Sequence, residues 1–272
     1  MPSKENKEKV LNALKNKSLV KIISGIQNYD KQKSLYVSMA AELGEATAID
    51  ICDDPEIIKP IRALVQMPIF ISSIDPIKLI AGVSYGADVL EIGNYEPFYK
   101  IEKMFTPSEI IELAKFVKKS ISSLQRPTEQ APLLSCTVPA TLEIENQIKL
   151  GKELLDLGVD ILQTEGFLQA TPPSDRNDAT YNDILKAAST LANTIELRKA
   201  LPNAHIITAS GITPTTIPLA LGAGANGIGI GTYISSVTTQ DEMTERVKEV
   251  IEKVHGFSLQ PLQEKRKEFA LR

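Results

Sequence analysis

Three short segments repeat one pattern: Gly86-Ala87-Asp88, Gly158-Val159-Asp160 and Gly224-Ala225-Asn226. Each closes a stretch with helical spacing and opens an apolar, β-branched run. Glycine accepts the left-handed backbone that ends a helix, so the next strand can begin at once. A chain built this way is a series of βα units, and the pattern reads as an internal repeat with one βα unit per period. Eight such runs are present: Leu19–Ser24, Thr47–Cys52, Pro68–Ser72, Asp88–Ile92, Pro132–Thr137, Asp160–Thr164, His205–Ala209 and Asn226–Ile230. They are mostly Val, Ile and Leu, as strands covered on both faces must be. The segments between them carry apolar residues at helical intervals, for example Ile110, Leu113, Ala114 and Val117.

Eight strands alternating with helices in 272 residues fit a closed (β/α)8 TIM barrel occupying the whole chain as a single domain, residues 1–272. An open doubly wound sheet is the alternative. It calls for a GxGxxG after the first strand, where this chain has Ser24-Gly25-Ile26-Gln27-Asn28. Lys4–Leu14 reads as an extra helix closing the barrel bottom. The residues after Gly256 read as a C-terminal helical tail packed outside the barrel or on a second subunit. Helix starts are expected at Asp54-Pro55, Asp75-Pro76, Thr106-Pro107-Ser108-Glu109 and Thr213-Pro214, each a cap followed by a first-turn proline. Two connections at the C-terminal ends of strands are long, Asn94–Phe105 and Gly166–Tyr181. The second carries Pro172, Pro173 and a polar run and reads either as a lid or as a solvated insertion.

Composition removes several functional classes. The net charge of −4 does not favour a nucleic-acid partner, because a phosphate-backbone binder normally carries a basic surface. No run reaches the roughly 18 apolar residues of a membrane span. Two cysteines, Cys52 and Cys136, make no disulfide framework and no CxxC. The first 17 residues lack the apolar core of a signal peptide and contain Glu5 and Glu8, which transit peptides avoid. The expectation is a chain that stays where it is made.

The best local signal for a ligand lies near the C-terminus. Strand seven ends in Ser210, Gly211 and Ile212, and strand eight is framed by Gly227, Gly229 and Gly231, followed by Thr232. Barrels often hold a phosphate between these two connections, on backbone N–H groups and the start of a short helix. The expected phosphate contacts are Ser210, Gly211, Ile212, Gly229, Gly231 and Thr232. The competing explanation is that the strand-eight glycines only relieve crowding inside the barrel.

Side chains alternate along a strand, so parity separates interior positions from helix-facing ones. It turns Ala48, Asp50 and Cys52 inward on strand two, Glu91 and Gly93 on strand four, and Gln163 and Glu165 on strand six. Asp50, Glu91 and Gln163 are then expected to face one another, with Glu165 a step nearer the mouth. Lys21 is the one basic residue inside any strand and, facing inward, neutralises Asp50 or Glu91. Buried carboxylates are costly unless paired, protonated or bound to a cation. Crowding pushes their pKa values apart, which suits proton transfer. A purely structural Lys–Asp–Glu network is the alternative. His205 at the barrel bottom and His255 on the last helix are both too far from the catalytic end for imidazole chemistry or a His-based metal site.

Many of these motifs occur together in a known family. The stretches are Lys21-Ile22-Ile23-Ser24-Gly25, Ala41-Glu42-Leu43-Gly44, Glu91-Ile92-Gly93-Asn94, Thr137-Val138-Pro139, Gln163-Thr164-Glu165-Gly166, Ala209-Ser210-Gly211 and Gly229-Ile230-Gly231. On them the sequence resembles the hypothetical chloroplast reading frame 23 proteins of algal plastids and cyanobacteria. A histidine often follows Thr-Val-Pro in that family, and Ala140 stands there in this chain. The resemblance implies an aldolase-type barrel in a plastid stroma or a cyanobacterial cytoplasm. It implies no reaction.

The expectation from the residues is an enzyme of isomerase or lyase type acting on a small phosphorylated metabolite. Glu165 moves the proton with Glu91 as its partner, Asp50 and Lys21 orient polar groups, and Asn28, Asn94, Thr137 and Gln163 contact substrate. Two alternatives stay open: an oxidoreductase whose flavin mononucleotide phosphate occupies the same cradle, and a non-catalytic metabolite-sensing or partner-binding barrel. A carboxylate-bound Mg²⁺ and a homo-oligomeric state are open as well.

Overall fold

The computed structural model describes residues 3–123, 131–167 and 178–258. In chain order the elements are α1 (Lys4–Lys15), β1 (Leu19–Ile23), α2 (Lys31–Leu43), β2 (Ala48–Ile51), α3 (Pro55–Leu64), β3 (Ile69–Ser73), α4 (Pro76–Tyr85), β4 (Val89–Ile92) and α5 (Glu96–Tyr99). There follow α6 (Pro107–Ser123), β5 (Leu133–Val138), α7 (Ile144–Asp156), β6 (Ile161–Thr164), α8 (Ala179–Ala200), β7 (Ile206–Thr208), α9 (Ile217–Gly222), β8 (Gly227–Ile230), α10 (Thr232–Ser235) and α11 (Gln240–Ser258). The strands pair in parallel in sequence order, and β8 pairs back onto β1 to close a (β/α)8 barrel.

The interior is stratified. Leu19, Ala48, Phe70, Val89, Leu133, Ile161 and Ile207 form an apolar floor, and Val10 and Leu14 of α1 complete it from below. Burying side chains of this kind stabilises by about 1.5–3 kcal/mol each, so α1 is an integral plug. The outward positions, including Ile22, Ile49, Ile51, Ile71, Leu90, Ile92 and Leu162, join a separate apolar cluster with the helices. Between floor and mouth lies a layer of polar side chains.

The Gly-Ala-Asp pattern has a physical origin at the barrel bottom. The residue just before each even-numbered strand accepts a backbone N–H from near the start of the preceding odd-numbered strand. Val20 N donates to Thr47 Oγ1 at 3.1 Å and Ile69 N to Asp88 Oδ2 at 3.0 Å. Leu134 N donates to Asp160 Oδ2 and Ile206 N to Asn226 Oδ1, both at 2.9 Å. Those N–H groups lie at the frayed lower edge and need an acceptor. The true period is therefore two βα units, repeated four times, not the single unit expected from the sequence. Gly86 shows why glycine opens the motif: its φ is +109°, and a Cβ there would lie 2.6 Å from Arg62 Cγ. The Arg62 guanidinium meets Asp88 Oδ2 at 3.0 Å.

Three other expectations need correction or placement. Thr213-Pro214 starts a turn, with Thr213 N donating to Thr216 Oγ1, and the helix begins only at Ile217. Cys52 follows the end of β2 and packs in the helix-side cluster, because the strand alternation no longer governs it. Most of the expected lid, residues 168–177, and the tail beyond Ser258 lie outside the described residues. The capping box at Thr106 forms as expected, with Thr106 N donating to Glu109 Oε2 at 2.8 Å and Glu109 N to Thr106 Oγ1 at 3.3 Å.

Candidate active site at the barrel mouth

Lys21 faces inward and is fully buried. Its Nζ lies 3.1 Å from Asp50 Oδ2 and 2.7 Å from Glu91 Oε2. Burial alone lowers the Lys21 pKa, but the two carboxylates overcome this and hold it above its ordinary value. Ser72 Oγ donates to Asp50 Oδ1 at 2.6 Å, and Ser135 Oγ donates to Glu91 Oε2 at 2.9 Å. Gln163 Nε2 reaches Glu91 Oε1 at 2.8 Å, Asn94 Oδ1 at 2.6 Å and Thr137 Oγ1 at 3.2 Å. Desolvation raises the Glu91 pKa, against the opposing pull of Lys21. The expected layer of Asp50, Glu91, Lys21 and Gln163 is thus assembled, and its charged groups are saturated by their own partners.

Asn94 sits on top of this layer. Its Nδ2 donates to Asp50 Oδ2 at 3.0 Å and to Ser72 Oγ at 2.7 Å, and its N–H donates to Thr137 Oγ1 at 3.1 Å. Its φ is +65°, and Gly93 before it has φ +136°. A Cβ on Gly93 would lie 2.3 Å from Thr137 Cβ, so only glycine lets β4 turn over β5 here. Left-handed backbone in a residue other than glycine is strained and clusters at functional positions. Asn94 is the half-buried member through which the sealed layer meets the mouth.

Glu165 belongs to a different group. It follows β6, is 3 % exposed, and turns toward the β4 and β5 connections. Tyr95 N donates to its Oε2 at 3.1 Å and Ala140 N to its Oε1 at 3.3 Å. The Tyr99 hydroxyl, at the end of α5, donates to the same Oε1. Desolvation pushes the Glu165 carboxyl up to about 7, despite these three donors. Burial and the Glu165 charge raise Tyr99 in turn. Among the described residues no hydrogen bond joins Glu165 to Glu91, and Tyr99 is the side chain that donates to it. Parity could have found Ser72 and Ser135, which alternate with Phe70 and Leu133. Nothing in the sequence singles out Tyr99 beyond its place in a long connection.

The expected phosphate cradle is mixed. Ser210 and Gly211 both have left-handed backbone, φ +75° and +70°. Ser210 Oγ donates to Glu96 Oε2 at 2.7 Å. Gly231 precedes the four-residue α10, and no side chain caps that helix. Steric reasons also exist for the glycines. A Cβ on Gly211 would lie 2.7 Å from Lys186 O, one on Gly227 2.6 Å from Leu19 Cβ, and one on Gly229 2.9 Å from Ala209 Cβ. Crowding is thus enough to require glycine at these three positions. Asn28 is tied into its own loop, with Nδ2 on Ser24 Oγ at 2.9 Å and Oδ1 accepting from Asp30 N at 3.3 Å. Burial pushes the Cys52 thiol up to about 11 and raises Cys136, so neither is an activated nucleophile. No group of three or more His, Cys, Asp or Glu among the described residues is placed to hold a metal ion. Lys21 takes the place a cation would need between Asp50 and Glu91, so a Mg²⁺ does not fit that pair.

A family model described as "Protein of unknown function (DUF561)" matches residues 5–259. The chain belongs to this family. It is 34% identical over 254 residues to the "Uncharacterized protein ycf23" of Cyanidium caldarium, covering 92% of this chain and 96% of that one. The ycf23 protein of Pyropia yezoensis is 36% identical over 234 residues, covering 86% and 81%. These ycf23 relatives are plastid-encoded, so the resemblance drawn from the motifs holds. Among solved structures, 3-hexulose-6-phosphate synthase superposes with a TM-score of 0.62 at 14% identity, covering 86% of this chain and 99% of that one. Thiamine phosphate pyrophosphorylase from Pyrococcus furiosus gives 0.57 at 15% identity, covering 91% and 100%. Similarity at that level establishes the DUF561 chain as a (β/α)8 barrel and nothing about its chemistry. No described helix is long and apolar enough to cross a membrane.

Proposed function

We propose that this DUF561 protein is an enzyme that moves a proton on a small phosphorylated metabolite, as an isomerase or lyase, with Glu165 as the acid–base group. The observation that carries the reading is the setting of Glu165. A carboxyl group stands at the C-terminal end of β6, shielded from water, beside one phenolic hydroxyl and two backbone N–H groups from neighbouring connections. A general base works best with a pKa near the working pH, and a carboxyl at about 7 meets that condition. Tyr99 is placed to return a proton or to hold the charge that Glu165 leaves behind.

Glu91, Asp50 and Lys21 take the supporting role in this reading. They fix Gln163 and Asn94, whose amides present polar groups to the substrate beside Thr137. The phosphate is assigned to the backbone of Ser210, Gly211 and Ile212 and to Gly229, Gly231 and Thr232. Two barrels of the same fold, 3-hexulose-6-phosphate synthase and thiamine phosphate pyrophosphorylase, are named for phosphorylated compounds. That supports a phosphorylated ligand for this barrel. Residence in a plastid stroma, or in a cyanobacterial cytoplasm, is part of the same proposal, and the plastid-encoded relatives support it.

The test is hydrogen exchange at carbon. Wild-type protein is incubated in D₂O with a panel of triose to hexose phosphates, and loss of C–H signal is followed by NMR. Exchange is expected for at least one member and is expected to fall about 10²–10⁴-fold in Glu165→Gln, while saturation transfer still reports binding. Equal exchange in wild type and variant removes Glu165 from its role. Thr232→Glu places a negative charge at the cradle and is expected to weaken binding of the same compound about tenfold or more; unchanged binding removes the cradle.

A further inference from the structure

Regular strand geometry ends at Thr164, so the sheet alone does not set the direction in which Glu165 leaves β6. The strand end is held by α8, through polar side chains. Ser189, Thr190, Asn193 and Thr194 lie on one side of that helix, because residues four apart stack one turn above the other. Thr190 Oγ1 and Thr194 Oγ1 each lie 2.9 Å from Thr164 Oγ1, and Thr194 Oγ1 lies 2.7 Å from Thr208 Oγ1 on β7. All four threonines are buried. One step further along, Asn193 Nδ2 donates to Glu165 O at 3.2 Å, and Phe167 N donates to Ser189 Oγ at 2.9 Å.

These contacts divide into two kinds. The threonine hydroxyls join side chain to side chain and satisfy buried polar groups within the helix–sheet packing. Asn193 and Ser189 instead grip the backbone on either side of Gly166. Hydrogen bonds are directional, so the Asn193 amide fixes the peptide that follows Glu165, and Ser189 fixes the N–H two residues on. From the other side, Tyr95 N and Ala140 N hold the Glu165 carboxyl. Glu165 is therefore gripped at its carbonyl by α8 and at its carboxyl by the β4 and β5 connections.

The same helix bears on the connection after β7. A Cβ on Gly211 would lie 2.7 Å from Lys186 O, and Thr213 Oγ1 donates to Asp183 Oδ2 at 2.8 Å. A Cβ on Gly166 would lie 3.3 Å from Ser189 Oγ and 3.5 Å from Ser210 Cβ. The ends of β6 and β7 thus meet α8 at one close-packed point. A reacting group must be held within about 0.5 Å of its productive position, and α8 is the element that touches both halves of the site.

We propose that Asn193 is a positioning residue for Glu165, and that α8 thereby sets the acid–base group in register with the phosphate-binding connection. The proposal rests on the reading of Glu165 and of Ser210–Ile212 given above. Asn193 does not touch the substrate. It acts by fixing the backbone from which the Glu165 side chain projects.

The test compares Asn193→Leu, which removes the donor, with Thr190→Val, which removes a hydroxyl from the same side of α8 but no bond to the Glu165 backbone. Carbon-detected NMR follows the Glu165 carboxyl, whose wild-type midpoint is expected at about 7. Desolvation is what raises it, so a loosened strand end that admits water is expected to lower the midpoint in Asn193→Leu. Hydrogen exchange on the sugar phosphates that wild type turns over is expected to fall about 10- to 100-fold at saturation, with KM changed less than about twofold. Ser189→Ala is expected to shift the carboxyl signal in the same direction, which guards against a folding defect in Asn193→Leu. Thr190→Val is expected to lower the thermal midpoint and leave both the carboxyl signal and the exchange rate as in wild type. An unmoved carboxyl signal in Asn193→Leu and Ser189→Ala overturns the proposal, as does an equal change in Thr190→Val. A wild type that exchanges no hydrogen on any sugar phosphate refutes the acid–base reading instead, and the carboxyl signal still decides whether Asn193 positions Glu165.

Discussion

Replacing Lys21 by methionine keeps an unbranched side chain, one atom shorter, and removes the ammonium with its charge and hydrogen-bond donors. Asp50 and Glu91 are then left buried at 1 % and 0 % exposure, without the ammonium that lies within 3.1 Å of both. Asp50 keeps Ser72 and Asn94 as donors, at 2.6 and 3.0 Å. Glu91 keeps only Ser135 and Gln163, and burial already raises its pKa. The least costly response is for Glu91 to take up a proton. From an unfolded-state pKa of about 4.3 to pH 7.5, that protonation costs about 4 kcal/mol, at about 1.4 kcal/mol per unit. It agrees with the 3–5 kcal/mol typical of breaking a buried pair. The sign follows from proton uptake: the folded variant binds a proton that the unfolded chain has released, so stability falls as pH rises above about 4.3. Urea titrations followed by far-UV circular dichroism are therefore expected to show a loss of about 4 kcal/mol at pH 7.5, shrinking to about 1 kcal/mol at pH 5. Adding Glu91→Gln to the variant is expected to remove most of the pH dependence. A loss that does not change with pH, or one below about 1 kcal/mol at pH 7.5, would refute a charge-coupled layer.

Other expectations are as direct. Glu165 has a folded pKa of about 7 against an ordinary value of 4.5, so the stability it contributes is fully present below about 4.5 and is lost as pH rises through 7. Glu165→Gln is expected to flatten that fall of about 3 kcal/mol, as read from thermal midpoints across pH 5–8. Tyr99→Phe removes a hydrogen bond that lowers the Glu165 pKa, so carbon-detected NMR of the carboxyl is expected to show its titration moving upward. Asp88 accepts from Ser3 N, Asn6 Nδ2, Ile69 N and Arg62 Nη1. Asp88→Ala leaves these donors at the barrel bottom and is expected to cost about 2–4 kcal/mol in urea titrations. Gly93→Ala meets Thr137 directly at a φ of +136° and is expected to cost at least about 2 kcal/mol by the same measurement.

The fold was legible because every local signal agreed. Apolar runs of strand length, glycine caps and acidic or polar residues after them all specify the same βα step, and consistency of that kind is what makes a sequence foldable. The period was not legible, because the sequence shows the motif without its partner: only the pairing of Asp88 with Ile69 N and of Asn226 with Ile206 N reveals two βα units per repeat. The interior acids were legible through parity, since Asp50 and Glu91 lie within regular strands. Alternation is a property of regular strand geometry and lapses beyond a strand end. Cys52 follows Ile51 and packs toward the helices, and Glu165 follows Thr164 and turns toward the neighbouring connections. Tyr99 was invisible because a four-residue helix inside a long connection leaves no periodic trace.

The two sets of carboxylates answer to different physics, and this decides which of them can exchange a proton at low cost. Asp50 and Glu91 share one buried cation, and each also accepts hydroxyl and amide donors, so any proton they exchange must break an ion pair as well as hydrogen bonds. Removing a partner from such a pair is costly even when the pair itself adds little net stability, which makes the layer a rigid base and a poor acid–base couple. Glu165 has no cation among its described hydrogen-bond partners. It is held by two amides and a phenol, so it can gain or lose a proton by shifting hydrogen bonds alone. Asn94 joins the two regions: its side chain is bonded into the lower layer, while its strained backbone leads into Tyr95, whose N–H holds Glu165. A change in the charge of the lower layer is therefore expected to reach Glu165 through Asn94. In Asn94→Gly the backbone strain is relieved and the amide link to Asp50 and Gln163 is lost. The Glu165 titration, followed by the same carboxyl NMR signal, is then expected to become insensitive to Lys21→Met, whereas with Asn94 present Lys21→Met is expected to shift it. Equal shifts in both backgrounds would show that the layer and the mouth are coupled only through space.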